Sequence, residues 1–360
     1  MARFRVIDTG LRGARENIAF DCALLESHKA GAIPDTIRFL RFRPSALVGR
    51  HQALSREVHV AHCRAHGVET ARRITGGGAI YFDQGQVGWE LVFHRDSLAL
   101  GGLADVARGI CEAAAAGLST LGIDARFRPR NDIEVGGRKL CGTGGFFDGD
   151  TLFYQGTVLI DTDPAAMVAA LNVPQAKLAR RGLDSAAARV VTLRELLGAD
   201  TPGIDVVCRA LLDGFVTGLG IEVEPGSVGL AEERLAARLL AEEIGTEDFV
   251  AEIDDPASAE DVLAASHTGP GGTVTAFVRL EGATHDRVRE VLITGDFFVT
   301  PPRTIYDLEA ALRGVAVADV GATVEQFFAT AEVDLLTVRP ADFRAAVEAA
   351  VASGAPGAGA

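Results

Sequence analysis

Strand-like and helix-like segments follow one another along this chain without strict alternation, and that order restricts its fold more than any other feature. RFRVID (3–8), IRFLRF (37–42), ALVGR (46–50), AIYFD (79–83) and GWELVFH (88–94) read as strands. Residues 14–31 have helical periodicity, with Ile18, Leu24 and Leu25 among the apolar positions. SREVHVAHCRAHG (55–67) reads as one helix opened by Ser55 as N-cap, and 102–121 as an alanine-rich helix ended by Gly122. IEVGGRKL (133–140) and TLFYQGTVLID (151–161) look like a strand pair around a GTGGFFDGD connection. Helical segments follow at 164–171, 191–198 and 204–219. Such a mixture favours an α+β fold over a regularly wound α/β one.

At 360 residues the chain exceeds one typical core, so two domains are expected. The turn-rich EPGSVG (224–229) marks a change of character. Residues 1–230 carry 26 basic and 26 acidic groups, whereas 231–360 carry 9 basic and 23 acidic, so the whole net charge of -14 belongs to the C-terminal third. The expected division is a catalytic domain at 1–228, a small α+β accessory domain at 245–350 and a disordered tail at 351–360, with a hinge near 224–245. The acidic balance argues against nucleic acid as a partner. No apolar run approaches the roughly 20 residues of a membrane span. The N-terminus MARFRVIDTG lacks a signal-peptide pattern, so a cytoplasmic location is expected. Cys22, Cys63, Cys111, Cys141 and Cys208 are scattered and odd in number, and read as reduced thiols.

Two regions carry chemistry. In RRITGGGAIYFDQG (72–85) three glycines admit close backbone approach, and Arg72 and Arg73 place forked cations beside them. It is neither a Walker A loop nor GxGxxG. The other signal is lysine scarcity: of 35 basic residues only Lys29, Lys139 and Lys177 are lysines. Lys139 lies in NDIEVGGRKLCGTGG and Lys177 in the polar stretch NVPQAKLARRGLDS, where a compact end-on cation facing a ligand would be placed.

GRHQ (49–52), RRITGGGAIYFDQG (72–85), RNDIEVGGRKLCG (130–142) and KLARRGLDSAAARVVTLRELL (177–197) occur in an order that resembles lipoate–protein ligase A. GDFFVTPPRTIYDLEAAL (295–312) is similar to that family's accessory domain. The resemblance implies a catalytic domain related to biotin ligases, with a mixed sheet like that of class II aminoacyl-tRNA synthetases. It also implies a two-step reaction: lipoate and ATP give lipoyl-AMP and pyrophosphate, and a lysine of an acceptor lipoyl domain takes the acyl group. Acceptors of this kind are a 2-oxo acid dehydrogenase acyltransferase, the glycine cleavage H protein or another lipoate-binding protein. By resemblance Lys139 is catalytic and reaches the carboxylate and α-phosphate. Arg72, Gly76, Gly77 and Gly78 line the acyl and phosphate side, and Asn131, Asp132 and Thr157 belong to the substrate and adenylate site. Lys177 and Arg189 lie in a loop closing over the adenylate, and Asp132 is a candidate ligand for Mg2+.

The chain departs from the family pattern at Cys141–Gly144 (CGTG), Tyr154–Thr157 (YQGT) and Tyr81-Phe82-Asp83. The rival reading is an octanoyl or lipoyl transferase working through a Cys141 thioester, because residues i and i+2 of a strand share a face and would set Cys141 beside Lys139. His59, His62, Cys63 and His66 fall on one face of a continuous helix and raise the question of a metal.

Overall fold

The computed structural model describes residues 1–98, 101–129, 131–172, 189–254, 256 and 261–354. Lys177 and the tail beyond Gly354 lie outside the described residues. The chain begins with β1 (Arg3–Arg12), α1 (Ala14–Lys29), β2 (Thr36–Phe42) and β3 (Ser45–Val48). Two short helices, α2 (Leu54–Glu57) and α3 (Val60–Ala65), precede β4 (Glu69–Arg72), β5 (Ile80–Phe82) and β6 (Gln86–His94). After α4 (Leu103–Ser119) come β7 (Arg126–Arg128), β8 (Asp132–Val135), β9 (Arg138–Asp148) and β10 (Thr151–Leu159). Helices α5 (Pro164–Ala170), α6 (Leu193–Leu197) and α7 (Ile204–Leu219), strand β11 (Glu222–Pro225), and helices α8 (Leu230–Glu242) and α9 (Glu247–Val250) complete this part.

Eight strands form one mixed sheet in the order β11-β1-β2-β6-β10-β9-β8-β7. Period-two alternation in β6 explains how it is covered on both faces. Trp89, Leu91 and Phe93 point to a core shared with α4 and α7, whereas Val92 points to a second core beneath α1 and α8. A smaller sheet, β4-β3-β5, stands beside it. In the C-terminal part β12 (Leu263–Gly269), β13 (Gly272–Glu281) and β14 (Arg287–Gly295) form an antiparallel sheet. It is followed by β15 (Val299–Thr300), α10 (Thr304–Leu312), α11 (Val320–Thr330), β16 (Asp334–Leu335) and α12 (Pro340–Ala352). These helices bury the sheet in a core of its own, around Phe297, Leu308 and Phe343.

Four expectations are corrected. GTGGFFDGD is not a connection: β9 runs unbroken from Arg138 to Asp148 and the turn is Gly149-Asp150. The glycines resemble a turn but sit in the strand because neighbours leave no room for a Cβ; one on Gly145 would lie 2.3 Å from the Phe153 carbonyl oxygen. Residues 55–67 are not one helix, since the backbone is extended at Val58 and Ala53, not Ser55, precedes the first turn. The hinge near 224–245 falls within a packed element. Leu235, Ala236 and Leu239 of α8 enter the core beneath α1, and Arg5 pairs with the buried Glu232 at 2.7 Å. At the C-terminus α12 continues to Ala352, into the segment expected to be disordered.

Candidate active site

Lys139 reaches the site through an irregularity of β9. Ile133 pairs with Cys141 and Glu134 with Lys139, so Leu140 is an extra residue on β9, a β-bulge. The bulge breaks the alternation that would have set Lys139 and Cys141 on one face. Leu140 and Cys141 are both fully buried in the core. The Lys139 ammonium instead lies over Gly142, where a Cβ would stand 2.5 Å from Nζ. Its Nζ is 2.8 Å from Asp132 Oδ1.

The glycine loop is braced by its arginines, of which Arg73 also lines the cavity beside the loop. Arg72 is fully buried and donates to the carbonyls of Gly49, Arg50, Gln52, Phe249, Val250 and Ile253 at 2.7–3.2 Å. Arg73 donates to the carbonyls of Leu47, Gly76 and Gly78. Burial pushes both guanidinium pKa values down to about 10, with Arg50 adding to the effect at Arg72, so both stay charged at neutral pH. The GRHQ turn closes on the same loop. Arg50 N–H donates to the Thr75 carbonyl at 2.9 Å, and a Cβ on Gly49 would meet the Gly77 carbonyl oxygen at 2.0 Å.

Between the loop and the β9–β10 face lies a cavity of about 1500 Å3. Its walls include Gly76, Gly77, Gly78, Asn131, Asp132, Lys139, Thr157 and Arg189. Arg72, expected among them, does not line it, because all its donors are turned onto backbone. Asn131 is held by Thr143: its side-chain amide donates to the Thr143 carbonyl at 2.6 Å and its carbonyl accepts from the Thr143 N–H at 2.9 Å. Thr157 is buried, with its hydroxyl 3.3 Å from Gln86 Oε1. Two residues from the YQGT and GDFFVT stretches, not among the expected site residues, also line the cavity. Gln155 donates to Thr75 Oγ1 at 2.8 Å and ties the strand floor to the loop, and Phe298 enters from the C-terminal part.

A model of the lipoyl protein ligase A/B catalytic domain matches residues 13–216, more than half of the chain. The chain belongs to this family. Octanoyltransferase LipM of Kyrpidia tusciae is 30% identical over 69% of this chain and 98% of its own length. A structure of lipoate-protein ligase A bound with ATP covers 70% of this chain and 99% of its own, with a TM-score of 0.60 and 27% identity. The P. falciparum LipL1 structure in complex with lipoate is 18% identical but aligns over 92% of this chain and 95% of its own with a TM-score of 0.70, so the shared fold extends into the C-terminal sheets and helices. The protein is thus a lipoyl- or octanoyl-attachment enzyme with a mixed α+β ligase-type fold.

Members of this family named as transferases and as ligases are both among its relatives, so the thiols matter. None of the five cysteines is among the residues lining the cavity. Burial, with Cys111 next, pushes the Cys141 thiol far above its ordinary range. Burial raises Cys111 to about 11, against hydrogen bonds to Thr143 and Tyr154, and Cys208 to about 12. The His59–His66 series does not form one face. His59 caps α3, Cys63 is buried with its thiol 3.8 Å from the Ala170 carbonyl, and His62 stacks on His66 outside. Among the described residues no group of three His, Cys, Asp or Glu is placed to hold a metal. Magnesium usually takes one or two carboxylates with substrate phosphates and water, and Asp132 on the cavity wall fits that modest demand. Among the described residues no helix is long and apolar enough to cross a membrane.

Proposed function

We propose that this family member is a lipoate–protein ligase. The carboxylate oxygen of lipoate attacks the α-phosphorus of ATP and expels pyrophosphate. The amine of an acceptor-domain lysine then attacks the acyl carbonyl and expels AMP. The single observation carrying this reading is the Lys139 ammonium on the floor of a cavity that no thiol lines. Neither step needs an enzyme nucleophile, so catalysis is positioning and charge stabilisation. Lys139 is the cation proposed to bridge carboxylate and α-phosphate, and the Asp132 pair at 2.8 Å would hold its Nζ until the anions arrive. Asn131 and Thr157 offer polar groups along the same wall, and Lys177 and Arg189 belong to a segment proposed to close over the adenylate. Bound Mg2+ would neutralise phosphate charge, with Asp132 as its protein ligand. The cavity exceeds the roughly 300–1,000 Å3 of ordinary small-ligand sites, which suits an acyl chain and a nucleotide together. The acceptor is proposed to be a lipoyl domain, and the location cytoplasmic.

The second reading, transfer of octanoyl or lipoyl from a carrier through a Cys141 thioester, is favoured by the likeness to octanoyltransferase LipM. The purified protein should catalyse lipoate-dependent ATP–pyrophosphate exchange without acceptor, and its intact mass should not change on incubation with an acyl-carrier donor. No exchange, together with an acyl adduct lost in Cys141→Ser, would transfer the case to the thioester enzyme.

A further inference from the structure

Phe298 carries the C-terminal part into the cavity, and its neighbour Phe297 is buried in the core behind it. Their backbone is fixed at both ends: Gly77 N–H donates to the Phe297 carbonyl at 3.0 Å, and Gly295 N–H donates to the His51 carbonyl at 3.0 Å. The Phe297 ring stacks on the His51 imidazole with centroids 5.2 Å apart. The Phe298 ring is thereby set between two glycines from distant segments. A Cβ on Gly77 would lie 2.5 Å from its Cζ, and one on Gly144 would lie 2.1 Å from its Cε1. Both are far inside contact distance, so each glycine provides space that the ring fills.

Gly142 and Gly144 are same-face neighbours on β9, about 6.6 Å apart along the strand. The Lys139 ammonium lies over the first and the Phe298 ring over the second. A carboxyl activated at Lys139 must send its chain across the part of the floor that has no side chains. In the direction of Gly144 that floor ends against the ring, which is only 7% exposed and lines the cavity.

We propose that Phe298 is a specificity-determining residue, the wall of the acyl subsite, so that the C-terminal part sets the length of acyl chain the enzyme accepts. This rests on the reading that an acyl carboxyl is activated at Lys139. The wall acts in the same way whether ATP or a thioester supplies the activation.

The test compares the full-length protein with Phe298→Ala and Phe298→Leu. Calorimetry measures binding of hexanoate, octanoate, decanoate, dodecanoate and tetradecanoate, and kcat/KM is taken with ATP and an acceptor domain. The wild type should show a sharp upper limit of length. Phe298→Ala should raise the preference for dodecanoate over octanoate by about tenfold or more, the lower end of what even one methylene step is worth in an apolar site. Phe298→Leu keeps an apolar side chain between both glycines and should shift the same ratio less; it decides the matter should the alanine variant not fold. A ratio unchanged in a folded variant, or a wild type that binds none of these carboxylates, overturns the proposal. A wild type whose length limit moves in the variants but which never joins acyl groups to any acceptor leaves the wall in place and removes the ligase reading.

Discussion

At the scale of residues, the site turns on where one ammonium sits. Lys139 is about one-third exposed and held by Asp132, so its removal should leave the fold intact. Lys139→Ala should lower kcat/KM a hundredfold or more, about 3 kcal/mol of transition-state stabilisation, with little change in Tm. Lys139→Arg should fail almost as badly, because a planar fork does not replace an end-on ammonium; near-normal turnover by the arginine variant would count against the assigned role. Lys139 and the three loop glycines stand out in the sequence by type and setting, Asn131 and Asp132 come only through the family resemblance, and all six line the cavity. Two readings failed for definable reasons. Arg72 has the charge of a phosphate ligand, but its role was decided by six carbonyls, three of them from residues 249–253 far along the chain. Strict alternation would set Cys141 on the face of Lys139, and the single-residue bulge that prevents it has no sequence signature of its own.

At the scale of elements, glycines let surfaces meet. Helices α4 and α7 cross where a Cβ on Gly214 would lie 2.4 Å from the Ala113 carbonyl oxygen, and one on Gly117 would lie 2.1 Å from that of Ala210. In an exposed helix Gly→Ala gains about 1 kcal/mol of propensity, whereas overpacking costs about 1–3 kcal/mol. The contact with backbone should win, so Gly214→Ala should lower Tm; a rise would mean that the two helices part easily. The same cause hid β9 from the sequence. A run of glycines reads as a turn when close approach cannot be seen, whereas the apolar strands β2, β6 and β10 and helices α1, α4 and α7 follow directly from their periods. The seating of α10 on β14 has a pH signature. Glu309 accepts the Ile293 N–H at 2.7 Å, and burial pushes its carboxyl up to about 7, with Glu252 adding to the rise and Arg313 and the Ile293 bond opposing it. The folded state therefore keeps a proton that the unfolded chain releases above its ordinary value of 4.5, and stability should fall as pH rises between those two values. Glu309→Gln retains an acceptor for Ile293, and a Tm-against-pH profile should be flatter across that window in the variant.

At the scale of the whole molecule, the larger sheet keeps its cover only if the chain runs past α8. A chain ending at Gly226 would strip the α1 face and unpair Arg5 from Glu232. One ending at Asp254 retains that helix and every carbonyl that holds Arg72. The longer piece should melt cooperatively and pass preformed lipoyl-AMP to an acceptor, yet lose pyrophosphate exchange because the whole C-terminal side of the cavity, Ser266, Thr273 and Asp296 as well as Phe298, is gone. Exchange at the full rate would give that part another task, such as acceptor recognition. The shorter piece should aggregate. Finally, an enzyme that makes a mixed anhydride carries a hazard to itself, since any stray amine is a target. Of the two described lysines, Lys139 faces Asp132, and Lys29 lies between Glu26 and Asp148 at 3.0 and 2.6 Å. Burial works against the charge of Lys29, but the bonds to Asp148 and Glu26 prevail and hold its pKa above the ordinary value. An amine attacks only after losing its proton, and the ammonium of Lys29 is held against that loss. If lipoyl-AMP is the intermediate, arginine at almost every other basic position leaves few amines to intercept it, and self-acylation on prolonged turnover should fall on Lys177, in the segment proposed to close over the adenylate, and spare Lys29.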